Sequence, residues 1–213
     1  MKHTVGAAAA AVVGYGLGTM PSAAIAARWA GSGGPGVDDQ GTGNPGGMNA
    51  GHVLGRRWGV AVTIADILKG TAAAAAGRRL AGERGANLAA GAAVIGHCHP
   101  VGRRGGKGVA TSIGQVIGTF PAYLPIDAGV ALSAAALPWF QRRTEMATIV
   151  ASSTWIACGL LWWRKGWSAG RRTPTTVAVP VAALASSAVI LARFRAESAR
   201  VDSFNAAALE AER

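Results

Sequence analysis

The chain has 213 residues, half of them hydrophobic, a net charge of +11 and only 15% charged residues. Soluble domains carry about 25% charged residues, so the composition fits neither an ordinary soluble domain nor a disordered basic tail. The cations come as pairs at the ends of apolar runs (Arg56–Arg57, Arg78–Arg79, Arg103–Arg104, Arg142–Arg143, Arg164–Lys165, Arg171–Arg172), a distribution that suits interfacial anchors and argues against nucleic acid.

A bilayer crossing takes about 20 mostly apolar residues. Residues 4–27, 146–163 and 173–192 carry no charge, and 108–141 carry one, Asp127. In chain order the runs predict seven spans, at 4–27, 58–77, 86–99, 108–122, 125–140, 146–163 and 174–193. The fold class is thus an all-α integral membrane protein, with residues 1–213 forming one polytopic domain. The third and fourth spans are short, as tilted or partly interfacial segments are. The Ala and Gly that fill the runs are the residues that let helices pack closely in lipid. Lys2, the first apolar run and the small residues 22–27 also match a secretory signal with its cleavage site. Residues 28–57 are rich in Gly, Asp, Asn and Pro and are expected to form an irregular loop. The Ala/Glu/Arg-rich stretch 194–213 is expected to be a surface helix, the C-terminal tail. Seven crossings put 28–57, 98–108, 141–145 and the tail on one side, with twelve Lys/Arg against eight opposite, so the positive-inside rule places the Gly-rich loops in the cytoplasm. Cys98 and Cys158 have neither zinc nor redox spacing and are expected to be buried small hydrophobes.

Two Gly-rich segments carry the candidate chemistry. In Gly41-Thr42-Gly43-Asn44-Pro45-Gly46-Gly47-Met48-Asn49, glycines permit positive φ, so that several N–H groups can converge on one anion. Thr42, Asn44 and Asn49 add side-chain donors; a plain flexible linker would have a similar composition. In the second segment Arg103, Arg104 and Lys107 lie among Gly102, Gly105, Gly106 and Gly108. This is not a nucleotide P-loop: Val101 stands where the first Gly is required, and Gly108 where Ser or Thr would hold magnesium. Lys107 remains a strong point charge for phosphate. His97 and His99 lack the partners of a metal site, and no metal is assigned. Neither histidine is followed four residues later by Asp, and there is no G-x-S-x-G elbow. Asp66 and Lys69, three apart on a predicted span, share a face and are expected to pair internally.

These motifs in this order resemble the PlsY-type acyl-phosphate:glycerol-3-phosphate acyltransferases. The resemblance rests on Gly41–Asn49, Asp66-Ile67-Leu68-Lys69-Gly70, Ile95-Gly96-His97-Cys98-His99-Pro100 and Gly105-Gly106-Lys107-Gly108-Val109-Ala110-Thr111. Leu17–Ser22 is similar to the family's first helix, which makes that segment a retained helix, and Arg143–Ile149 lies where its third motif does. The resemblance covers about residues 14–200. It implies a seven-helix enzyme of a bacterial-type plasma membrane, moving an acyl chain from acyl phosphate to sn-glycerol 3-phosphate. The product would be lysophosphatidic acid for phospholipid synthesis. No metal, cofactor or acyl-CoA is implied, and a monomer suffices. Lys107, Thr42 and Thr148 would be catalytic. Gly41, Gly43, Asn44, Gly46, Asn49, His52, Arg104, Gly105, Gly106 and Gly108 would bind substrate and phosphate. Departures from the family are Thr42 for Ser, Gly47-Met48 for Ala-Thr, His52 for Arg, Glu145 for Ser, and Phe194 and Glu197 for His and Asn. They leave open a non-catalytic relative that binds a phosphorylated lipid precursor. A small-solute transporter using Asp66 and Lys69 is a third class, without a visible inverted repeat to support it.

Overall fold

The computed structural model describes residues 2–31, 37–138, 144–170 and 174–211. Among these the chain is helical, without β-strands. In order come α1 (Lys2–Gly18), α2 (Ser22–Trp29), α3 (Gly47–Leu54), α4 (Arg56–Cys98), α5 (Val109–Thr119), α6 (Leu124–Ala136), α7 (Thr144–Lys165) and α8 (Ala178–Ala211). Single 3₁₀ turns lie at Val37–Asp39 and Pro121–Tyr123.

Helix α4 runs for 43 residues but reverses at Ala81 (φ −150°, ψ 30°) and Gly82 (φ 62°, ψ −153°). Its two arms, 56–80 and 83–98, lie against each other where Gly77 and Gly85 meet. A Cβ on Gly77 would come 2.2 Å from the Gly85 carbonyl. Arg78 closes the turn through two bonds to the Glu83 carboxylate (2.6 and 3.0 Å) and donates to the Gly118 carbonyl of α5 at 2.7 Å. The expected spans 58–77 and 86–99 are therefore one helical run folded at a two-residue break.

The packing is of the small-residue kind that lipid favours. Cβ atoms on Gly14 and Gly18 of α1 would each fall 2.1 Å from the carbonyls of Ala89 and Ala93 on the second arm of α4. Gly70 and Gly114 allow the same approach between the first arm and α5. A larger apolar cluster of Val116, Phe120, Tyr123, Trp155 and Val179 fills the space among α5, α7 and α8. Large apolar side chains such as Val12 (72% exposed), Leu132 (70%) and Leu184 (58%) point outward, as lipid-facing residues do.

Among the described residues, four stretches are long and apolar enough to cross a membrane: Thr4–Trp29, Arg56–Cys98, Glu145–Lys165 and Ala178–Arg200. A fifth follows if α5 and the Pro121–Ala136 stretch, bent by 116°, cross as one. This is a multi-pass arrangement that groups the seven expected runs differently. Three other regions show finer detail than the expected runs. The run 4–27 stays one candidate span, Thr4–Trp29, although its helix breaks between Gly18 and Ser22, where Pro21 precedes α2. Region 28–57 is not wholly irregular, because it contains α3 and the end of α2. The tail is helical to Ala211 and continues α8, which runs unbroken from Ala178.

Asp66 and Lys69 are buried and paired at 2.7 Å. Ser22 donates to Asp66 (2.5 Å) and Lys69 donates to the Met20 carbonyl (2.6 Å). The pair thus satisfies the break between α1 and α2. Its charges are spent on each other and on this junction, which is what an ion pair at membrane depth requires.

Candidate active site

The site lies where the two Gly-rich segments meet α8. The second segment, 102–108, folds under the end of α4. Gly106 N–H donates to the His97 carbonyl at 3.1 Å. A Cβ on Gly105 would lie 1.9 Å from the Cys98 carbonyl, and one on Gly106 2.3 Å from His97 Nε2. Glycine is needed here for close approach, whereas Gly108 is needed for its positive φ of 84° where α5 begins. Arg193 of α8 donates to the carbonyls of Gly105 (2.5 Å) and Gly106 (3.3 Å). Arg103 donates to the Thr19 carbonyl at 2.6 Å, which ties the segment to α1 as well.

The first segment is shaped by Asn49, 3% exposed on α3. Its Oδ1 accepts from Thr42 N–H (3.0 Å), and its Nδ2 donates to the carbonyls of Val37 (2.9 Å) and Gln40 (3.0 Å). Gly41 and Gly43 take the positive φ values, 59° and 67°, that this compact turn demands. Gly46 caps α3 in extended geometry. Asn49 thus acts on the loop, with both ends of its amide engaged.

Arg104 brings the segments together through a bond from its Nη1 to the Gly43 carbonyl at 3.3 Å. Arg200 reaches the Thr42 carbonyl at 3.4 Å from the other side. Between them lies a cavity of about 280 Å³, lined by Thr42, Asn44, Arg104, Gly105, Arg193 and Glu197 among others. Lys107 stands beside it, its ammonium 3.3 Å from Glu197 Oε2 and 4.7 Å from the centroid of the Phe194 ring. Asn44 Nδ2 donates to the same Glu197 oxygen at 3.1 Å. The buried Asn44 Oδ1 has no hydrogen-bond partner among the described residues. Three arginines (Arg104, Arg193 and Arg200) line this cavity with Glu197, and Lys107 stands against that carboxylate, an environment that favours further negative charge.

A second, smaller cavity of about 50 Å³ adjoins the first and shares Arg104 with it. Its walls include Ser22, Lys69, His97, Arg103 and Gly106. Met20, Ser22 and Lys69 also border an apolar groove of about 380 Å³ along α2 and the first arm of α4, lined by Ile25, Trp29, Trp58 and Val62.

The fold thus gathers Thr42, Gly43, Asn44, Arg104, Gly105 and Lys107 at one place, with Gly41, Asn49, Gly106 and Gly108 supporting them. It does not bring Thr148 or His52 to that cavity. Thr148 lines a separate space of about 210 Å³ with Ser112, Tyr123, Asp127 and Trp155. His52 lines another of about 380 Å³ with Met48, Arg56 and Thr63. Arg142 and Arg143, beside the third motif, lie outside the described residues, and Glu145 pairs with the exposed Arg195 at 3.3 Å. Arg193 and Arg200 are functional neighbours that the motifs did not announce. Their spacing with Glu197 (193, 197, 200) is that of one helix face, a signal present in the sequence.

The profile of the family described as glycerol-3-phosphate acyltransferase matches residues 8–202. A glycerol-3-phosphate acyltransferase of Rhizobium etli is 40% identical over 147 residues, covering 68% of this chain and 69% of the relative. One from Exiguobacterium sibiricum is 41% identical over 114 residues, 52% of this chain and 53% of the relative. The crystal structure of PlsY, an integral membrane glycerol 3-phosphate acyltransferase, in its glycerol 3-phosphate form superposes with a TM-score of 0.69 at 28% identity, covering 92% of both chains. Its lysophosphatidic acid form gives 0.68 at 27% identity, with the same coverage. With nearly the whole helical domain matched and the Gly-rich motifs converging on one basic cavity, the chain belongs to the PlsY-type glycerol-3-phosphate acyltransferase family.

Proposed function

We propose that this protein transfers an acyl chain from acyl phosphate to the 1-hydroxyl of sn-glycerol 3-phosphate, releasing lysophosphatidic acid and inorganic phosphate. The observation that carries the reading is the meeting of Lys107 and Asn44 on a single anionic oxygen beside a cavity lined by three arginines. Both substrates bear phosphate, and two adjoining basic cavities sharing Arg104 suit a reaction that must hold two phosphates side by side. The apolar groove that begins at Met20 and Lys69 suits the acyl chain of the donor.

In the reaction the hydroxyl oxygen attacks the acyl carbonyl carbon. The bond from that carbon to the phosphate oxygen breaks, and the phosphate leaves with the electron pair. The hydroxyl proton passes to the phosphate. The donor is already activated, so positioning and charge neutralisation supply much of the catalysis. Lys107 and Arg104 neutralise phosphate, Thr42 and Asn44 orient the acceptor, and Asn49 and Arg193 hold the two loops in shape. No role follows for His52 or Thr148 in contacting phosphate in the basic cavity.

We further place seven crossings in a bacterial-type plasma membrane, α4 supplying two and α5 and α6 one each, with the Gly-rich loops facing the cytoplasm and the protein acting as a monomer. The test is acyl transfer by purified protein in lipid, with palmitoyl phosphate and labelled glycerol 3-phosphate, palmitoyl-CoA as parallel donor and Lys107→Ala as control. Lysophosphatidic acid from acyl phosphate alone is expected. A folded protein that binds both substrates without product would favour the second reading, a non-catalytic relative, which the Glu197 carboxylate within the cavity also suits.

A further inference from the structure

We infer that Glu197 is an affinity-setting residue, its carboxylate occupying the place of a substrate phosphate oxygen between Lys107 and Asn44 and having to be displaced before phosphate binds. The inference rests on the reading of this cavity as the phosphate site. One oxygen, Oε2, takes both bonds, from Asn44 Nδ2 at 3.1 Å and from Lys107 Nζ at 3.3 Å. That is how a phosphate oxygen would bridge an amide and an ammonium. A phosphate and this carboxylate cannot both hold Lys107 in that geometry, since two anions at one point repel.

The helix that carries Glu197 is tied down on both sides. Arg193, one turn before, holds Gly105 and Gly106, and Arg200, one turn after, holds Thr42. Displacement therefore falls to the side chain, which has three rotatable bonds and a cavity of about 280 Å³ beside it. The pair is only partly buried, with Glu197 19% and Lys107 33% exposed, so the bond to be broken is weak. A dianionic phosphate among Arg104, Arg193 and Arg200 has more charge to offer these cations than one carboxylate, so it wins the site, but at reduced affinity.

The experiment compares the full chain with Glu197→Gln and Glu197→Ala in lipid nanodiscs. Glycerol 3-phosphate binding is read by calorimetry, and KM and kcat by product formation. In both variants the dissociation constant and KM are expected to fall about fivefold, the effect of losing one partly exposed ion pair, with KM taking more of the change than kcat. A rise in both constants would make Glu197 a brace for the loops and overturn the inference. So would an unchanged dissociation constant, or a loss of kcat at constant KM, which would mark a proton acceptor. Inorganic phosphate serves as a second probe, binding more tightly to both variants if the displacement is real. Lys107→Met separates the two layers. If it leaves phosphate binding intact, the cavity is misassigned and the inference falls with it. If it weakens binding while Glu197→Gln changes nothing, only the role of Glu197 is overturned.

Discussion

Replacing Lys107 by Ala separates function from folding. In the resting site its ammonium is 3.3 Å from Glu197 and stacks on Phe194, with a third of the side chain exposed. A partly exposed pair and a cation–π contact are each worth about 0.5–1 kcal/mol, and loss of Lys107 also frees Glu197 to turn toward Arg193 or Arg200. The stability cost should stay below about 1.5 kcal/mol. With substrate bound, the same ammonium faces phosphate among few waters, and removing one such donor costs about 3–4 kcal/mol of transition-state stabilisation. The expected result is a drop of about 10²–10³ in kcat/KM with a thermal midpoint within a few degrees of the parent. Initial rates with palmitoyl phosphate and a melting curve on the same preparation read both quantities. A variant that keeps turnover within threefold of the parent, or loses activity only because it no longer folds, refutes the reasoning.

Asn49→Ala removes three hydrogen bonds of 2.9–3.0 Å and leaves partly buried loop groups unpaired, so it should cost about 2–3 kcal/mol and raise KM for glycerol 3-phosphate; a melting curve and saturation kinetics check both. Gly14→Leu drives a side chain into the Ala89 carbonyl and should destabilise by about 3 kcal/mol or more, whereas Gly16→Leu, whose Cβ meets nothing within 4 Å, should leave the thermal midpoint in detergent nearly unchanged. Gly106→Ala would place a Cβ 2.3 Å from His97 Nε2, so the loop bearing Lys107 must shift; activity should fall by tenfold or more, read by the acyl-transfer assay, with a smaller loss of stability. Arg193→Lys keeps the charge but cannot reach both Gly105 and Gly106 carbonyls as a fork, and the fall in activity should exceed the fall in inorganic-phosphate binding measured by calorimetry.

Much of the fold is legible in the chain because lipid imposes it. An uncharged run such as 146–163 has few places to go, and α7 covers it whole. The reversal within α4 was foreshadowed by the polar stretch of Arg78, Arg79, Glu83 and Arg84, although nothing local said that only Ala81 and Gly82 would leave the helix. The tail reads as a helix, but its continuity with the last span is not legible, for a physical reason. Polar residues after Arg193 mark where lipid ends, but backbone hydrogen bonding does not stop there, and α8 runs on. Cutting the helix at 193 divided the face that carries Arg193, Glu197 and Arg200, and so hid the third wall of the site.

The glycines mark the boundary between what local chemistry reveals and what it cannot. As a class they suggested positive φ and an anion cradle, and at Gly41, Gly43 and Gly108 that is the backbone they adopt. At Gly47, Gly105 and Gly106 the requirement is instead the missing Cβ, against Thr63, Cys98 and His97. Thr63 belongs to the first arm of α4, and Cys98 and His97 close its second arm, so these needs exist only once the hairpin has formed. The same holds for Asn49, which had the right donors for a substrate but spends them on Val37, Gln40 and Thr42. Lys107 differs because its ammonium meets Glu197 and Phe194 at the edge of the cavity, where its obligations to the fold are slight. A residue whose removal leaves few buried groups unpaired, yet whose charge stands beside a basic cavity, serves what binds there; Lys107 is legible through its motif, whereas Arg193 and Arg200 offer only a helix-face spacing whose partners the fold supplies.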